Sequence, residues 1–503
     1  MGWSCGWDGK ISWIMSIIKQ ISNLAQHSAI YAVSTAIQKL PGFLLLPIYT
    51  NFNYIPSRSD FGEYVMIFTF IAFMNFFYTY GMDSAMLRYF FLGEKDRKTV
   101  FSSTFYVLLV TSLITTALLL LFSPALAGLI LKKSSAANFI QIAGLILIFD
   151  ALGNLPYLIL RAEEKSIQFT VYRGIRFILE LLLNILFVVV LRQGVLGILY
   201  TSLAAAVINL LIMTPIIARY LVRRVDLPLA KELLMFGLPF LPNGIAFTTI
   251  EMVDRFIVPE ILGKDVLGVY GANYKFGAIL LLLINAFRNA WQPFFLKISK
   301  QDNAREIYTR VLTYFWAGAA AVVLLVTLFI RDLLTFPLPG GRTMLGAAYW
   351  DGIGIIPIIL LSYCFYGIYV ILTPGFYIRK QSKYMIVFTG SGALVNIIAN
   401  LILLPWMNSF WGAAWATLIS YVTMAATIYL VSNRIYPLQI DWGRLGRVTV
   451  LLLGVLGIYY FLAPPLWGRL LLAGGVIAYN YFWVLTDGER KAMKRGLGKL
   501  RGR

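Results

Sequence analysis

The sequence has few of the residues that soluble proteins and catalytic or metal sites require. Only 13% of its 503 residues are charged, and it contains one histidine and two cysteines. A single imidazole, His27, is too little for a zinc site or a histidine-based acyltransferase. Cys5 and Cys364 fall at different predicted membrane depths, so we expect no disulfide. The sequence has no Gly-x-x-x-x-Gly-Lys-Ser/Thr run, which argues against ATP hydrolysis by this chain.

Long apolar runs take the place of those residues. Hydrophobic residues make up 59% of the chain, and its mean hydropathy is +0.76. A run of about 20 apolar residues crosses a bilayer as a helix, whereas barrel strands alternate apolar and polar residues. We therefore predict an all-α integral membrane protein with about 14 transmembrane helices. The predicted spans are residues 28–49, 61–81, 100–123, 138–160, 167–191, 194–216, 235–256, 267–291, 308–330, 352–375, 385–404, 410–432, 448–463 and 468–486.

Lysine and arginine are distributed unevenly among the predicted connections. One side of the membrane holds about 30 of them and the other about 8. The positive-inside rule makes the rich side, which includes both termini, cytoplasmic. The net charge of +20 then reflects topology and attraction to anionic lipid, so we do not expect nucleic-acid binding.

The chain repeats itself after about 206 residues, because Phe61-Gly62-Glu63-Tyr64 recurs as Leu267-Gly268-Val269-Tyr270. The separation is six spans, so the two copies enter the membrane in the same direction and form a parallel repeat. We predict two six-helix lobes related by a pseudo-two-fold axis, followed by two C-terminal helices. The predicted parts are a cytoplasmic N-terminal segment (1–27), an N-terminal lobe (28–216), a cytoplasmic linker (217–234), a C-terminal lobe (235–432), spans thirteen and fourteen (433–486) and a basic cytoplasmic tail (487–503).

Residues 25–435 resemble the oligosaccharide-lipid flippases of the multidrug/oligosaccharidyl-lipid/polysaccharide exporter superfamily. The resemblance rests on a series of short motifs in order: Lys39, Pro47-Ile48-Tyr49-Thr50, Phe61-Gly62-Glu63-Tyr64, Gly237-Leu238-Pro239, Asp254-Arg255, Leu267-Gly268-Val269-Tyr270 and Gly412-Ala413-Ala414. It implies a non-enzymatic polysaccharide biosynthesis protein. Such a protein moves a polyprenyl-diphosphate-linked glycan across a bacterial or archaeal cytoplasmic membrane for O-antigen, capsule or exopolysaccharide assembly. Its partners would be that lipid, the surrounding membrane lipids and other polysaccharide assembly proteins.

Cations inside predicted spans are the candidate contacts for a diphosphate, because fixed positive charge offsets the cost of an anion at membrane depth. The cavity candidates are Lys39, Arg173, Arg176, Arg255 and Lys275. At the cytoplasmic ends of spans two and eight, Arg88 and Arg288 are either entrance contacts or positive-inside anchors.

Carboxylates accompany these cations. Arg173, Arg176 and Glu180 share one helical face, and Glu251, Asp254 and Arg255 repeat the arrangement in span seven. They form either a cationic path with tuning carboxylates or structural ion pairs, which Asp150 would join. Asp150 and Glu180 are also candidates for proton uptake, and coupling to H+ or Na+ stays open. We expect no cofactor and no metal.

Prolines interrupt spans one and seven, which open the two halves. Pro41 and Pro47 in one span and Pro239 and Pro242 in the other are hinge candidates, although proline is also common in membrane helices. Asp60 and Glu63 have the spacing of a capping box at the start of span two.

Three other functions remain open from the sequence. A lipid II flippase also handles a polyprenyl diphosphate. A multidrug exporter shares the resemblance, but such relatives usually carry a carboxylate in the first span, where this chain has Lys39. A membrane glycosyltransferase or polymerase usually has a large outer loop with acidic catalytic residues, and here the longest outer connection holds only Asp332 and Asp351.

Overall fold

The computed structural model describes residues 42–92, 95–163, 165–223, 225–338, 342–379, 381, 384–485 and 490. Cys5, His27, Lys39 and Pro41 lie outside these residues. Apart from one antiparallel hairpin, β1 (Pro337–Leu338) and β2 (Arg342–Thr343), the regular structure of the described chain is helical. Eleven of its helices are long and apolar enough to cross a membrane. The prediction of an all-helical, multi-pass membrane protein is confirmed.

The first half of the bundle comprises residues 42–237. Its helices are α1 (Leu46–Tyr49), α2 (Arg58–Thr79), α3 (Met82–Leu92), α4 (Arg97–Leu121), α5 (Ser123–Leu131), α6 (Ala137–Ala162), α7 (Ser166–Asn184), α8 (Gly194–Tyr220) and α9 (Leu227–Gly237). A 3-10 turn, Ser134–Ala136, precedes α6, and a π-helical turn, Ile185–Val190, extends α7.

The second half comprises residues 240–485. Its helices are α10 (Phe240–Met252), α11 (Asp254–Leu262), α12 (Lys264–Gly277), α13 (Ile279–Ile298), α14 (Ala304–Thr335), α15 (Ile356–Ile371), α16 (Pro374–Ile378), α17 (Met385–Met407), α18 (Trp411–Ile435), α19 (Trp442–Leu462) and α20 (Leu466–Tyr479). A 3-10 segment, Ala347–Ile355, precedes α15, and a π-helical turn, Asn480–Val484, follows α20.

Three predicted spans are absent from the eleven membrane-crossing helices. The first lies mostly outside the described residues. The fifth corresponds to α7, which contains Arg173, Arg176 and Glu180. In the fourteenth, the α-helix ends at Tyr479. The count of 14 and the division into two related lobes stay predictions.

Polar side chains fix where several helices begin. The carboxylates of Asp96, Asp226 and Asp441 accept backbone N–H groups at the starts of α4, α9 and α19. At α2 the capping residue is Ser57, whose Oγ accepts the Asp60 N–H at 3.0 Å and donates to Asp60 Oδ2 at 2.7 Å. The predicted pairing of Asp60 with Glu63 as a capping box is therefore wrong. Ser57 supplies the cap, and Glu63 is free to make other contacts.

Helix α9 belongs by packing to the first half. It lies against α3 and α4, and its residues Leu229 and Leu233 are fully buried in that half's core. The helix is interrupted after it, at Leu238 and Pro239, before α10 enters the second half. Helix α9 therefore begins within the range predicted as a linker.

The two C-terminal helices pack on α14. Trp316 Nε1 donates to Thr449 Oγ1 at 3.2 Å, which joins α14 to α19. Arg469 of α20 forms an ion pair with Asp332, and it also donates to the Leu328 carbonyl at 2.9 Å. These contacts attach the last two helices to the second half, away from the first.

Candidate functional site

The predicted charged face of α7 points into the bundle. The opposite face carries exposed apolar side chains that suit contact with lipid, namely Ile167, Val171, Ile178 and Leu182. On the inner face, Arg176 Nη1 lies 2.8 Å from Asp150 Oδ1 of α6, and its Nε donates to Glu180 Oε1 at 3.0 Å. Arg176 therefore forms ion pairs with two carboxylates of its own half.

Arg173 has a different environment, one turn away on the same face. Its guanidinium lies 3.9 Å from the centroid of the Tyr157 ring, and its Nη2 donates to Asn154 Oδ1 at 3.3 Å. Among the described residues, no carboxylate lies within ion-pair distance of Arg173. A cation–π contact of this kind contributes about 0.5–2 kcal/mol. Arg173 thus has no direct ion-pair partner in the described chain, although Arg173 and Arg176 together carry the same charge as Asp150 and Glu180 with opposite sign.

The predicted charges of span seven lie in a network of tyrosines inside the second half. Glu251 of α10 accepts hydrogen bonds from Tyr363 at 2.9 Å and from Tyr421. Asp254 of α11 accepts one from Tyr270 and is fully buried. The Arg255 guanidinium lies 4.7 Å from the Tyr274 ring centroid. These contacts join α10 and α11 to α12, α15 and α18.

Lys275 of α12 reaches into the first half. Its Nζ donates to the Tyr64 hydroxyl at 3.1 Å and lies 4.8 Å from the centroid of that ring. The rings of Phe61 and Tyr49 are also close, at 5.5 and 5.8 Å. We call Tyr49, Phe61 and Tyr64 the aromatic seat of Lys275. In the described chain, Lys275 has no carboxylate within ion-pair distance.

The position of Lys275 follows from helix geometry. Side chains on a helix lean toward its N-terminus, and the N-terminus of α12 is at the end that our charge-based topology makes the outer side. Lys275 lies two turns inward of Gly268, so its side chain leans outward to Tyr64 from below. Lys275 is partly exposed, whereas the three rings that it contacts on its outer side are buried.

The two halves meet above Lys275, at their outer ends. The Glu63 carboxylate of α2 is 2.6 Å from Lys133 Nζ of the first half and 2.8 Å from Lys264 Nζ of the second. The hydrogen bond that Lys133 donates to Glu63 raises the pKa of the Lys133 ammonium. A second and more exposed pair, Lys132 with Glu260, lies alongside at 3.1 Å.

Backbone and ring contacts complete this junction. Helices α2 and α12 cross at Gly62 and Gly268. The Gly346 N–H donates to Thr50 Oγ1 at 3.0 Å, and the rings of Phe61 and Tyr349 meet edge to face. We call these contacts, together with the ion pairs of Glu63, the outer seam.

Toward the inner side, Phe76 of α2 lies against Gly244 of α10. Helix α13, which continues α12 inward, packs mainly on α14, α15 and α16 of its own half. Arg288 of α13 is exposed and donates to the Tyr366 hydroxyl at 2.8 Å. Arg88 of α3 is also exposed, and its guanidinium lies 4.5 Å from the Phe236 ring centroid of α9. The outer seam therefore joins the two halves at one end, and Arg88 and Arg288 are exposed toward the other end.

The hinge candidates occupy breaks in the helices. Pro47 is in the first turn of α1, directly after the chain turns at Leu45. Pro239 separates α9 from α10, and Pro242 is in the first turns of α10. Whether these breaks bend during a transport cycle stays a prediction.

Sequence reasoning missed the residues of the outer seam and the aromatic seat. The sequence showed that Glu63 is a carboxylate inside a predicted span, but its spacing from Asp60 suggested a cap. Lys133 and Lys264 lie in predicted connections between spans, where the sequence does not indicate a partner. The available signal was the recurrence of Phe61-Gly62-Glu63-Tyr64, because a repeated glycine between bulky residues often marks a close helix crossing.

Three comparisons relate this chain to known proteins. A family model described as "Polysaccharide biosynthesis protein" matches residues 55–334. No curated protein sequence matches significantly. Among solved structures, the chain is similar to a lipid II flippase MurJ in an inward closed conformation, with a TM-score of 0.69, 15% identity, and coverage of 90% of this chain and 99% of that one.

Two further structures share the architecture. One is an inward-facing multidrug resistance MATE family transporter of the MOP superfamily, with a TM-score of 0.62 at 15% identity, covering 84% of this chain and 99% of that one. The other is a MOP superfamily transporter from Pyrococcus furiosus, with a TM-score of 0.60 at 15% identity, covering 85% and 96%. At these identities the likeness establishes the fold, which is that of the multidrug/oligosaccharidyl-lipid/polysaccharide exporters. The family model covers more than half of the sequence, so this multi-pass membrane chain belongs to the polysaccharide biosynthesis protein family.

Proposed function

We propose that this protein is a flippase that carries a polyprenyl-diphosphate-linked oligosaccharide from the inner to the outer leaflet for cell-surface polysaccharide assembly. The membrane is the cytoplasmic membrane of a bacterium or archaeon, with both termini in the cytoplasm. Its family and its fold support this assignment. O-antigen, capsule and exopolysaccharide precursors all share the diphosphate that the site would recognise.

The observation that carries the proposal is the partly buried, unneutralised cation Lys275 directly below the outer seam. Arg173 in the first half also lacks a direct ion-pair partner in the described chain and stacks on Tyr157, within a cluster whose two arginines and two carboxylates balance. A diphosphate entering the bundle loses hydration, and fixed cations compensate for that loss. Arg176 contributes less, since Asp150 and Glu180 already balance its charge.

The arrangement favours alternating access with the cycle at its inward-facing stage. In this cycle the outer seam would close the path to the outer leaflet, and the exposed Arg88 and Arg288 would offer first contacts to a headgroup from the cytoplasm. The diphosphate would then reach Lys275 and Arg173 while the polyprenyl tail stays in the bilayer. Lys39, outside the described residues, remains a further cavity candidate. Opening of the seam, with bending at Pro47 and Pro239, would release the glycan outside.

An ion gradient or the membrane potential would drive the cycle. Asp150 and Glu180 are tied to Arg176, so their protonation would free that arginine for an anion. Glu251 and Asp254 accept hydrogen bonds from tyrosines, so a change in their protonation would alter the packing of α10 and α11. H+ and Na+ are both consistent with this arrangement.

A lipid II flippase is the second candidate, supported by the likeness to MurJ over 90% of this chain. It would use the same diphosphate site, so the two functions differ only in the glycan. A multidrug exporter and a glycosyltransferase or polymerase are less consistent with Lys275, a partly buried cation without an ion-pair partner in the described chain.

The test is translocation of fluorescent polyprenyl-diphosphate glycans in proteoliposomes, with lipid II as a second substrate. We expect the wild type to move the oligosaccharide lipid and the Lys39→Ala, Lys275→Ala and Arg173→Gln proteins to lose most of that activity. Arg447→Gln is the matched control, because this arginine donates to the Trp483 carbonyl on the far side of the second half. Movement of lipid II alone would favour the second candidate. Movement of no such lipid by the wild type would reject both, and turnover of the lipid in detergent would indicate an enzyme.

A further inference from the structure

The aromatic seat of Lys275 is made of the same residues that hold the outer seam together. Phe61 packs edge to face on Tyr349 of the second half, with 5.6 Å between ring centroids. Tyr64 packs on Phe61 at 5.2 Å and on Tyr49 at 5.5 Å. Lys275 is thus a cation of the second half that holds three buried rings of the first half from the inner side.

The seat also connects to the helix that carries the other cations. The Tyr49 hydroxyl donates to Asn184 Oδ1 at 2.6 Å, and Asn184 Nδ2 donates to the Glu180 carbonyl at 2.8 Å. Both residues belong to α7, the helix of Arg173 and Arg176. The rings of the aromatic seat therefore lie between the second half and the polar face of α7.

We propose that Lys275 is the residue through which an anionic headgroup opens the outer seam. Without ligand, its ammonium group is attracted to the faces of Tyr49, Phe61 and Tyr64, and this attraction holds the two halves together. A diphosphate bound from the inner side is a stronger partner for the ammonium group than three neutral rings. Lys275 then leaves its seat, and the seam loses a contact between the halves at the moment when the ligand is in place.

This inference rests on the proposed function in one respect, since it takes a diphosphate lipid as the ligand. It adds a mechanism that the binding role of Lys275 does not require. If Lys275 only bound the headgroup, its replacement would lower the affinity for the diphosphate lipid and would leave the seam of the empty protein unchanged. If Lys275 also holds the seam, its replacement would change both the affinity and the seam of the empty protein.

The experiment measures the outer distance between the halves by pulsed electron spin resonance. Spin labels are placed at Gln193 and Met407, which are exposed on outer turns of the first and second halves. The background chain has Cys5 and Cys364 replaced by alanine. The probes are a long-chain polyprenyl diphosphate and the corresponding uncharged polyprenol.

In the otherwise unchanged chain, we expect the diphosphate to shift the label distance to longer values and the polyprenol to leave it unchanged. In Lys275→Met, the empty protein should already populate the longer distances, and the diphosphate should add no further shift. Lys275→Arg keeps a cation over the rings and should restore the short distance. Arg305→Met is the control, because it removes a cation 4.6 Å from the Tyr436 ring centroid within the second half alone.

A short distance in empty Lys275→Met that still lengthens with diphosphate would overturn the inference, as would an equal shift with polyprenol or an equal change in Arg305→Met. The proposed function is tested separately, and the absence of glycan-lipid translocation by the wild type in proteoliposomes would contradict it. Diphosphate-induced opening that depends on Lys275 would support the inference even in that case.

Discussion

Gly62 and Gly268 face each other's helix in a reciprocal way. A methyl group at Gly62 would overlap the carbonyl oxygen of Lys264, and one at Gly268 would overlap the carbonyl oxygen of Arg58. Each glycine therefore contacts the backbone four residues before the other glycine. The two tetrapeptides that recur in the sequence thus form the two sides of one helix crossing.

This relationship explains why a glycine occupies the second position of both tetrapeptides. Two bulky residues would hold the backbones of α2 and α12 apart, and the outer seam could not close. Because each tetrapeptide must accommodate the other, the same small residue is required twice.

Replacing Gly62 with alanine should open the outer seam. The added methyl group cannot fit against the Lys264 backbone, and overpacking of this kind costs about 1–3 kcal/mol. We expect a lower midpoint of thermal unfolding and longer label distances between Gln193 and Met407. Gly318→Ala is the control, since no heavy atom lies within 4 Å of its Cβ position in α14. Equal stability of the two variants would contradict a tight crossing at Gly62.

Glu63→Gln should weaken the seam through charge rather than packing. Its carboxylate side chain is 8% exposed and holds Lys264, whose side chain is 16% exposed. Removing one partner from a buried pair costs about 3–5 kcal/mol, and the residual exposure here reduces the expectation to about 1–3 kcal/mol. The measurement is the free energy of unfolding in detergent.

The matched control for that change is Glu260→Gln. Its pair with Lys132 also joins the two halves, but both side chains are about half exposed, at 48% and 54%. Exposed pairs contribute about 0–1 kcal/mol. A loss for Glu260→Gln as large as that for Glu63→Gln would mean that burial does not decide the strength of the seam.

The sequence predicted the membrane-spanning helices well because a bilayer imposes length and hydrophobicity on each one separately. It also placed Arg173, Arg176 and Glu180 on one face of α7, since three- and four-residue spacings determine that geometry locally. Partners supplied by other helices were harder to foresee. Asp150 was named as a partner of the arginines, but the stacking of Arg173 on Tyr157 depends on how α6 and α7 pack.

The seam could not be predicted for the same reason. Lys264 is adjacent to Glu63 only because α2 and α12 cross, and these residues are separated by 201 positions in the chain. The capping error at Asp60 and Glu63 is local. Ser57 and Asp60 also have capping-box spacing, and their position before the apolar run was the better indication.

Arg176 and Arg173 should differ in what their loss affects. Arg176→Met leaves Asp150 and Glu180 without a cation, and we expect a loss of about 1–3 kcal/mol in unfolding free energy, because the pair is only partly buried. Arg173→Met removes a ring contact, costs about 0.5–2 kcal/mol and should chiefly reduce lipid translocation.

The double variant Arg176→Met with Glu180→Gln tests the assignment of Arg176. Arg176→Met alone leaves the carboxylates of Asp150 and Glu180 unpaired, and Glu180→Gln removes one of these charges. We therefore expect the double variant to be more stable than Arg176→Met. Translocation per folded protein and thermal unfolding are measured on the same samples. Full stability of Arg176→Met would show that its ion pairs are not structural.

Gly81→Ala should disturb the contact between α3 and α9 on the inner side. Gly81 has a φ of +76°, which is unfavourable for alanine by about 1 kcal/mol, and the added methyl group would overlap the Gly237 carbonyl oxygen. Gly194→Ala is the matched control, because Gly194 also has a positive φ, +58°, but its nearest neighbour, the Tyr54 carbonyl oxygen, is 3.8 Å from the Cβ position. Both variants carry the backbone strain, so the difference between their unfolding free energies isolates the close approach of Gly81 to Gly237. We expect Gly81→Ala to be less stable than the control by a further 1–3 kcal/mol or so. Equal losses would mean that α9 can move away from α3 at little cost, and the packing of α9 on the first half would then not fix the position of the break at Pro239.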